Sequence, residues 1–397
     1  MPISEKIQSI AASPTLAIDE KVKVMQGEGV DVIGFGAGQP DFDTPEHIKE
    51  AAVKAIADGF TKYTPASGTK ELKEAICRKL MRDNSLEYSP ANIVVSNGAK
   101  QCLVNALMTI CNPGDEVIVP APFWVSYPEM IKIADGVPVV LPTCEERHFK
   151  FTVDDLRSKI TDRTKAVIMN SPSNPTGMLY TSEELREIGE LAVEKDLYII
   201  SDEIYEKLVY GGAKHVSIAS VSNEIKERTI VVNGLSKSHS MTGWRIGYTA
   251  SNASLAKAMS NLQSHATSNP NSIAQKAAVA ALDGSQDCVE MMRQTFEQRR
   301  DYMVERINGI QGLSCTKPMG AFYVMMNVSA LFGTELYGYK IKNSDDFCEA
   351  LLDIAKVAVV SGVGFHADGF VRLSYATSMK NIEEGLNRIE QFVKKEF

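Results

Sequence analysis

Lys237 stands in an unusual place for a lysine, just after an apolar, β-branched run in the stretch TIVVNGLSKSHSMTGWRIGY, residues 229–248. The run TIVVNG predicts a buried strand, and lysine side chains are seldom buried. A lysine that loses part of its hydration has a lowered pKa, and its neutral amine can act as a nucleophile that forms a Schiff base. A lysine that merely extends to solvent beside a strand end is the commoner case. The residues that accompany Lys237 therefore decide between the two interpretations.

Other polar side chains follow other predicted strands. Asp202 comes directly after the apolar run LYIIS and precedes Tyr205, while Asn174 lies in SPSNPTG after KAVIMN. A carboxylate at the end of an apolar strand is costly to bury unless a partner needs its charge. Taken singly, Asp202 could cap a following helix, and the segment around Asn174 could be an ordinary turn.

A turn that contains Gly98 follows the predicted strand NIVVS and opens onto the helical pattern of AKQCLVNAL. Such a turn presents backbone N–H groups and a helix N-terminus to anions, although most strand-to-helix turns bind nothing. Ligands of open α/β sheets bind beyond the carboxyl ends of the strands. The combined groups match pyridoxal phosphate: an amine for its aldehyde, Asp202 for its ring nitrogen, donors for its phenolic oxygen, and a helix start with Arg245 for its phosphate.

Short β-rich runs alternate with longer helical patterns between residues 90 and 250, which predicts a mostly parallel sheet with helices on both faces. In TSEELREIGELAVEK, Thr181 and Glu184 form a capping box. In PEHIKEAAVKAIADG, Thr44 is expected as the N-cap and Pro45 at the first helical position. Seven strands are predicted: NIVVSN, EVIVPAP, VPVVLP, KAVIMNSP, LYIISDE, TIVVNG and RIGYTAS.

The pattern changes near residue 286 to a long charged helix, followed by the strands GAFYVMM, VAVVSG and FVRLSYA. A chain of 397 residues exceeds what one core usually supports. We expect a large ligand-binding domain over residues 46–285 and a smaller α/β domain over residues 286–397. Residues 1–45 should pack with the small domain and the cleft between the two.

Composition excludes several function classes. The net charge of −8 argues against a nucleic-acid or anionic-membrane surface. Seven scattered cysteines without a CxxC pair fit neither a disulfide framework nor a zinc site, so no metal is expected. No apolar run approaches the roughly 18 residues of a membrane span. We expect an untargeted cytoplasmic protein.

Nine segments follow one another along the chain: SPTLAIDEK, GAGQPDFDTPEHI, KYTPASGTKELKEAI, PAPFWVSYPEM, NSPSNPTG, SDEIYEKLVY, GLSKSHSMTGWRIGY, PMGAFYVMM and VRLSYATS. In these segments and their order the chain resembles the class I aminotransferases of fold type I, and specifically the bacterial branch of aspartate and prephenate aminotransferases. The resemblance covers essentially the whole chain. It implies a three-layer α/β/α large domain with a smaller α/β domain, pyridoxal 5'-phosphate as cofactor, and a homodimer with shared active sites.

The resemblance also implies roles for single residues. Lys237 matches the lysine that holds the cofactor covalently and moves the proton at the substrate Cα. Asp202 matches the carboxylate that keeps the ring nitrogen protonated. The remaining implied cofactor contacts are Tyr205 and Asn174 at the phenolic oxygen, Trp124 stacked on the ring, Gly98, Ala99, Lys100, Ser236 and Arg245 at the phosphate, and Tyr63 at the phosphate of the neighbouring subunit.

Implied substrate contacts begin with Arg372, which matches the arginine that holds the α-carboxylate in a bidentate fork. Trp124 and Asn174 also belong to this set, and Gly38 matches a loop glycine that approaches the substrate. Lys100 matches the residue that meets a distal acidic group, which favours L-aspartate as donor and 2-oxoglutarate as acceptor. Ala11 and Ala12 stand where prephenate-competent relatives tend to carry a basic or threonine residue, which argues against prephenate as substrate. Ser13 is the nearest polar residue of the N-terminal segment that could contact the substrate.

Alternatives to an aspartate aminotransferase remain open. The chain could transfer the amino group of an aromatic amino acid, alanine or prephenate, and Phe322 and Tyr323 of GAFYV could line the cleft for aromatic substrates. A carbon–sulfur lyase on the same fold would release pyruvate and ammonia. A non-enzymatic effector module should carry a helix-turn-helix extension, for which the resemblance leaves no room. No G-x-G-x-x-G follows the first strand, which argues against a dinucleotide-dependent oxidoreductase.

Overall fold

The computed structural model describes residues 3–397. Its α-helices vary from one turn to 23 residues, and the longest is the charged helix predicted after residue 286. In chain order they are α1 Glu5–Gln8, α2 Pro14–Gly27, α3 Glu46–Ala57, α4 Lys70–Asn84, α5 Ala99–Ile110, α6 Ser126–Ile133, α7 Val153–Arg157, α8 Ser182–Glu194, α9 Asn223–Arg228, α10 Ala253–Ala266, α11 Ser272–Asp283, α12 Asp287–Gly309, α13 Ser344–Ala355 and α14 Met379–Lys394.

The strands include nine of the ten that the sequence predicts, at positions within a few residues of the expected ones. The tenth, VAVVSG, is divided into two short strands, Val357–Ala358 and Val360–Ser361, which belong to different sheets. In chain order the strands are β1 Ile33–Gly34, β2 Ile93–Asn97, β3 Glu116–Ala121, β4 Val137–Pro142, β5 Thr164–Asn170, β6 Tyr198–Asp202, β7 Thr229–Gly234, β8 Ile246–Ala250, β9 Ser314–Cys315, β10 Tyr323–Asn327, β11 Glu335–Leu336, β12 Tyr339–Lys340, β13 Val357–Ala358, β14 Val360–Ser361 and β15 Phe370–Ser374.

A seven-stranded sheet in the order β2-β8-β7-β6-β5-β3-β4 forms the centre of the large unit. Only β8 runs antiparallel to its neighbours, as expected of a mostly parallel sheet. Successive side chains of β5 enter different cores: Val167 packs with α8 on one face, whereas Ile168 packs with α5 on the other. This two-sided burial explains the continuous Val/Ile runs and confirms the three-layer α/β/α architecture.

The strand directions bring separate sequence motifs to one edge of the sheet. Strands β3 to β7 are parallel, so Asp202 at the end of β6 and Lys237 three residues beyond β7 lie at the same edge. Because β8 is antiparallel, its start, preceded by Arg245, lies at that edge as well. β2 pairs antiparallel to β8 and therefore ends there too, just before Gly98.

The helix starts confirm one predicted cap and correct the other. Thr181 accepts a hydrogen bond from the Glu184 N–H in the predicted capping box of α8. The prediction for α3 was wrong by one residue, since Pro45 is the N-cap and the helix begins at Glu46. The Thr44 hydroxyl donates to the Ser240 carbonyl oxygen at 2.7 Å and accepts from the Trp244 indole, so it serves a tertiary contact and not the helix.

A four-stranded antiparallel sheet, β14-β15-β10-β9, lies with α12, α13 and α14 in the C-terminal part. The N-terminal segment joins this part through β1, which pairs with β13 in parallel. Phe35 extends the pairing, because its N–H donates to the Ala358 carbonyl oxygen and its own carbonyl oxygen accepts from the Ser374 N–H. Its buried ring lies in the core of the C-terminal part. Residues 31–35 thus pack against the C-terminal elements before the chain enters the large sheet.

The cysteines and the helices can be compared with what the composition predicts. All seven cysteines are free thiols. Between residues 3 and 397, no helix has both the length and the apolar character that a membrane crossing requires.

Candidate active site

A cleft with a volume of about 1080 Å³ lies where the edge of the large sheet meets the N-terminal segment and the C-terminal part. Twelve of the fourteen predicted site residues line it, although they come from many separate segments. They are Ser13, Gly38, Ala99, Lys100, Trp124, Asn174, Asp202, Tyr205, Ser236, Lys237, Arg245 and Arg372. The other two predicted residues, Gly98 and Tyr63, do not line it.

The amine of Lys237 is held inside the cleft. Its Nζ donates a hydrogen bond to the Gly38 carbonyl oxygen at 2.5 Å and lies 5.8 Å from the centre of the Phe322 ring. Burial, together with the positive charges of Arg245 and Arg372, lowers the pKa of Lys237 to about 8. A substantial fraction of this amine is therefore neutral, and nucleophilic, near pH 8.

Asp202 is a buried carboxylate, 3% exposed, at the end of β6. The Tyr127 hydroxyl donates to its Oδ2 at 2.8 Å, and the Ile204 N–H donates to its Oδ1 at 3.2 Å. Burial raises the pKa of Asp202 to about 6, while the Tyr127 hydrogen bond opposes that rise. No helix follows directly, so the alternative of a helix cap is wrong. The carboxylate gains most from a cation placed beside it in the cleft.

Two phenols and an amide lie together on the cleft wall. The Tyr205 and Tyr323 hydroxyls are 3.1 Å apart, and burial raises the pKa of both. Asn174 is 7% exposed, and its Oδ1 accepts from Arg372. Both Tyr205 and Asn174 are thus neutral hydrogen-bonding groups, and the amide Nδ2 of Asn174 remains available as a donor.

The start of α5 and Arg245 form a cationic corner of the cleft. Ala99 and Lys100 contribute first-turn N–H groups, which no carbonyl within the helix can satisfy. Gly98 has φ +84°, and a Cβ there would lie 2.3 Å from Nη2 of Arg245. The glycine therefore allows the guanidinium to approach the helix start, where Nη2 donates to the Asn97 carbonyl oxygen at 3.2 Å. Ser236, which is buried, lines the cleft beside it.

Arg372 is a nearly buried cation, 2% exposed, on β15. Its Nη1 donates to Asn174 Oδ1 at 3.1 Å and its Nη2 donates to the Gly36 carbonyl oxygen at 2.8 Å. The Tyr323 and Phe365 rings lie 4.4 and 5.2 Å from its guanidinium carbon. Within residues 3–397, its Nε finds no hydrogen-bond partner. A buried guanidinium with an open donor is suited to bind a carboxylate.

Lys100 and Trp124 form a second pair on the cleft wall. The Lys100 Nζ lies 4.8 Å from the centre of the indole ring. Partial burial, followed by the charge of Arg245, lowers the pKa of Lys100. Ser13, at the N-cap position of α2, has its hydroxyl 3.0 Å from that of Thr15, which also lines the cleft. Thr15 was not predicted as a site residue.

Tyr63 lies apart from the cleft of its own chain, with 91% of its surface exposed. An aromatic side chain with so little burial has no packing role within the subunit. Phe322 was wrongly expected to line the cleft, because it is fully buried in the core behind Tyr323, which does line it.

The sequence interpretation also missed residues of the site. Tyr127 lies within the quoted segment PAPFWVSYPEM, but only the folded structure shows that its hydroxyl donates to Asp202. Asp19 on α2 also lines the cleft. No local pattern distinguishes this residue from the exposed charges around it.

Glu203, Glu206 and His215 place possible metal-ligating atoms within 4.8 Å of one another next to the site. Both carboxylates already have partners, however, since Lys79 forms a salt bridge with Glu206 and the His215 Nε2 lies 3.1 Å from Glu203. The Lys79 charge holds the pKa of Glu206 near 2 against the effect of burial. We assign no metal to this cluster.

The chain is similar to proteins of one enzyme family over its whole length. The aspartate aminotransferase of Geobacillus stearothermophilus is 52% identical over 396 residues, which is 99% of each chain. The structure of the aspartate aminotransferase from Rhizobium meliloti superimposes with a TM-score of 0.96 at 44% identity and 99% coverage of each chain. The enzyme from Thermus thermophilus, solved with maleate, gives a TM-score of 0.94 at 44% identity, covering 99% of this chain and 100% of that one. Residues 30–389 match the family described as aminotransferase class I and II. The chain belongs to this family and is a pyridoxal-phosphate-dependent aminotransferase.

Proposed function

We propose that this enzyme transfers the amino group of L-aspartate to 2-oxoglutarate in two successive half-reactions, giving oxaloacetate and L-glutamate. The observation that carries the proposal is the meeting of the Lys237 amine, the buried Asp202 carboxylate and the Arg372 guanidinium in one cleft. The acidic substrate is supported by similarity to the aspartate aminotransferases, one of which, from Thermus thermophilus, was solved with the dicarboxylate maleate.

The residues present fit pyridoxal phosphate. A carboxylate whose pKa burial raises is stabilised when a protonated ring nitrogen faces it, which suits Asp202. The open first turn of α5, with Arg245 and Ser236, suits a phosphate. An amine with a pKa of about 8 suits covalent attachment to an aldehyde, and Lys237 supplies it.

When bound, the cofactor supplies an electron-withdrawing ring that stabilises negative charge on the substrate Cα. Lys237 would act as the general base that takes the Cα proton of the amino acid and passes it to C4′ of the cofactor, and in the second half-reaction it would move a proton in the opposite direction, to the Cα of the new amino acid. Its short contact with the Gly38 carbonyl oxygen holds the amine at a defined position in the cleft. Asp202 keeps the proton on the ring nitrogen, and Tyr127 holds that carboxylate in place.

Substrate binding is assigned to the two ends of the cleft. Arg372 binds the α-carboxylate, because its buried guanidinium has an unused Nε and a fixed plane between two rings. Asn174 fixes that plane by accepting a hydrogen bond from Arg372 at its Oδ1. Its amide Nδ2 and the Tyr205 hydroxyl are assigned to hydrogen bonds with the phenolic oxygen of the cofactor. Lys100 meets the distal carboxylate, with Trp124 beneath its ammonium group, and Ser13 and Gly38 complete the substrate wall.

We further propose a homodimer in which Tyr63 completes the phosphate site of the other subunit. The exposure of its ring and its position outside the cleft of its own chain support this arrangement. Seven free thiols support a cytoplasmic location. We also propose that the chain divides into an N-terminal segment of residues 1–45, a large cofactor-binding domain of residues 46–285 and a small domain of residues 286–397.

The test is an absorption spectrum of the purified holoenzyme before and after L-aspartate is added alone. Conversion of the pyridoxal band to the pyridoxamine band, reversed by 2-oxoglutarate, is the expected result. An unmoved band would refute aspartate as donor. Release of pyruvate and ammonia without a second keto acid would replace the aminotransferase with a lyase.

A further inference from the structure

Asp19 brings a carboxylate into the substrate side of the cleft. It lies on α2, is partly buried, and lines the cleft together with Gly36, Tyr323 and Arg372. Its Oδ1 packs so closely on Gly36 that a Cβ there would lie 2.6 Å from it. Among residues 3–397, no group donates a hydrogen bond to this carboxylate. Nothing in the fold of α2 therefore requires a negative charge at this position.

Arg372, by contrast, is a buried cation without a paired anion. Its two fixed hydrogen bonds go to neutral acceptors, one of which is the carbonyl oxygen of Gly36. Within the described part of the chain, no carboxylate lies within 4.0 Å of its guanidinium. Gly36 thus lies between the two charges, in contact with Asp19 on one side and with Arg372 on the other.

The charges around Asp19 reinforce this pairing. Burial raises the pKa of Asp19, and the charge of Arg372 is the largest opposing effect, ahead of Lys23. Lys23 lies on α2 itself, as does Glu20, and both line the cleft. Asp19 also adds to the raised pKa of the Tyr323 phenol. The principal charge that faces Asp19 from another element is therefore Arg372.

We propose that Asp19 determines carboxylate affinity: it serves as the counter-charge of Arg372 in the free enzyme and competes with the α-carboxylate of the substrate. The assignment rests on the proposed role of Arg372. A ligand carboxylate at Arg372 gains the attraction of the guanidinium but also meets the repulsion of Asp19. The residue thereby weakens the binding of substrate and product alike, which favours product release.

The test compares ligand binding to three holoenzymes by titration calorimetry: the natural protein, Asp19→Asn, and Glu28→Gln. Glu28 caps the other end of α2, outside the cleft, and its substitution removes the same charge. The probes are maleate and the monocarboxylate 3-phenylpropionate. Removing one charge near the binding carboxylate should tighten both probes roughly 3- to 10-fold at low salt, while Glu28→Gln leaves both unchanged. The difference should shrink as salt is added.

Tighter binding to Asp19→Asn cannot result from damage to the fold, because such damage lowers affinity. Unchanged or weaker binding to the folded Asp19→Asn protein would overturn the proposal. If that variant fails to fold, Asp19→Ser provides the same comparison. The choice of probes separates this proposal from the substrate assignment. Stronger binding of 3-phenylpropionate than of maleate to the natural enzyme would contradict the proposed acidic substrate. The role of Asp19 would still be decided by the affinity of each probe for Asp19→Asn relative to the natural protein.

Discussion

Lys237 owes its reactivity to its surroundings and not to its own chemistry. Burial and two neighbouring arginines lower the pKa of the amine to about 8, against 10.5 for a solvated lysine. Half of the amine is therefore neutral near pH 8, whereas a solvated lysine reaches that fraction only near pH 10.5. The rate at which the apoprotein captures pyridoxal phosphate should rise with the same midpoint and then level off, as followed by visible absorbance of the covalent adduct.

The comparison for Lys237 is a free lysine derivative, whose rate should continue to rise toward pH 10. Lys237→Arg keeps the charge but should capture no cofactor, as shown by peptide mass after borohydride reduction. A midpoint near 10 in the natural protein would mean that the amine is solvated and that the proposed environment is wrong.

Gly98 shows how the turn between β2 and α5 creates the cationic corner. A Cβ at this position would collide with Nη2 of Arg245, and φ of +84° disfavours any other residue. Gly98→Ala should displace the guanidinium and weaken the affinity for pyridoxal phosphate by about tenfold or more, the value of a hydrogen bond to a charged group. Equilibrium dialysis against the cofactor measures this loss.

Gly114→Ala is the matched control for Gly98→Ala. Gly114 has a similar φ of +88°, but a Cβ there would meet nothing within 4 Å. Both variants should lose about 1 kcal/mol of folding stability from the strained backbone, whereas only Gly98→Ala should lose cofactor affinity. Equal affinities in the two variants would show that Arg245 does not contact the phosphate.

The elements were predictable because their signals are local. β-branched runs such as Ile230 to Val232 favour buried strands, and the Thr181 capping box marks a helix start without help from the rest of the chain. Thr44 was misassigned because a tertiary partner, Trp244, takes its hydroxyl. Tyr127 and Asp19 were missed for the same reason, since their contacts depend on how α6 and α2 pack. Local sequence thus predicts the strand ends and the groups that follow them, but not the groups that other elements bring to them.

In the proposed homodimer, each active site is complete only when the other subunit contributes its Tyr63. Tyr63 is 91% exposed and lies outside the cleft of its own chain, yet the proposed role places its hydroxyl at a phosphate. That role requires a partner subunit to bring the tyrosine to the site. It also means that Lys237 and Tyr63 of one complete site come from different chains.

Mixing two defective proteins tests this arrangement. Lys237→Ala should be inactive and Tyr63→Ala should bind the cofactor weakly, so each homodimer has two damaged sites. In a hybrid dimer, the intact Lys237 of one chain meets the intact Tyr63 of the other, which restores one full site and leaves one doubly damaged site. Unfolding and refolding the two together should therefore recover activity, with about half of the natural sites per hybrid intact. If Tyr63 served its own subunit, the hybrid would contain no complete site and activity would not exceed that of the Tyr63→Ala protein in the mixture.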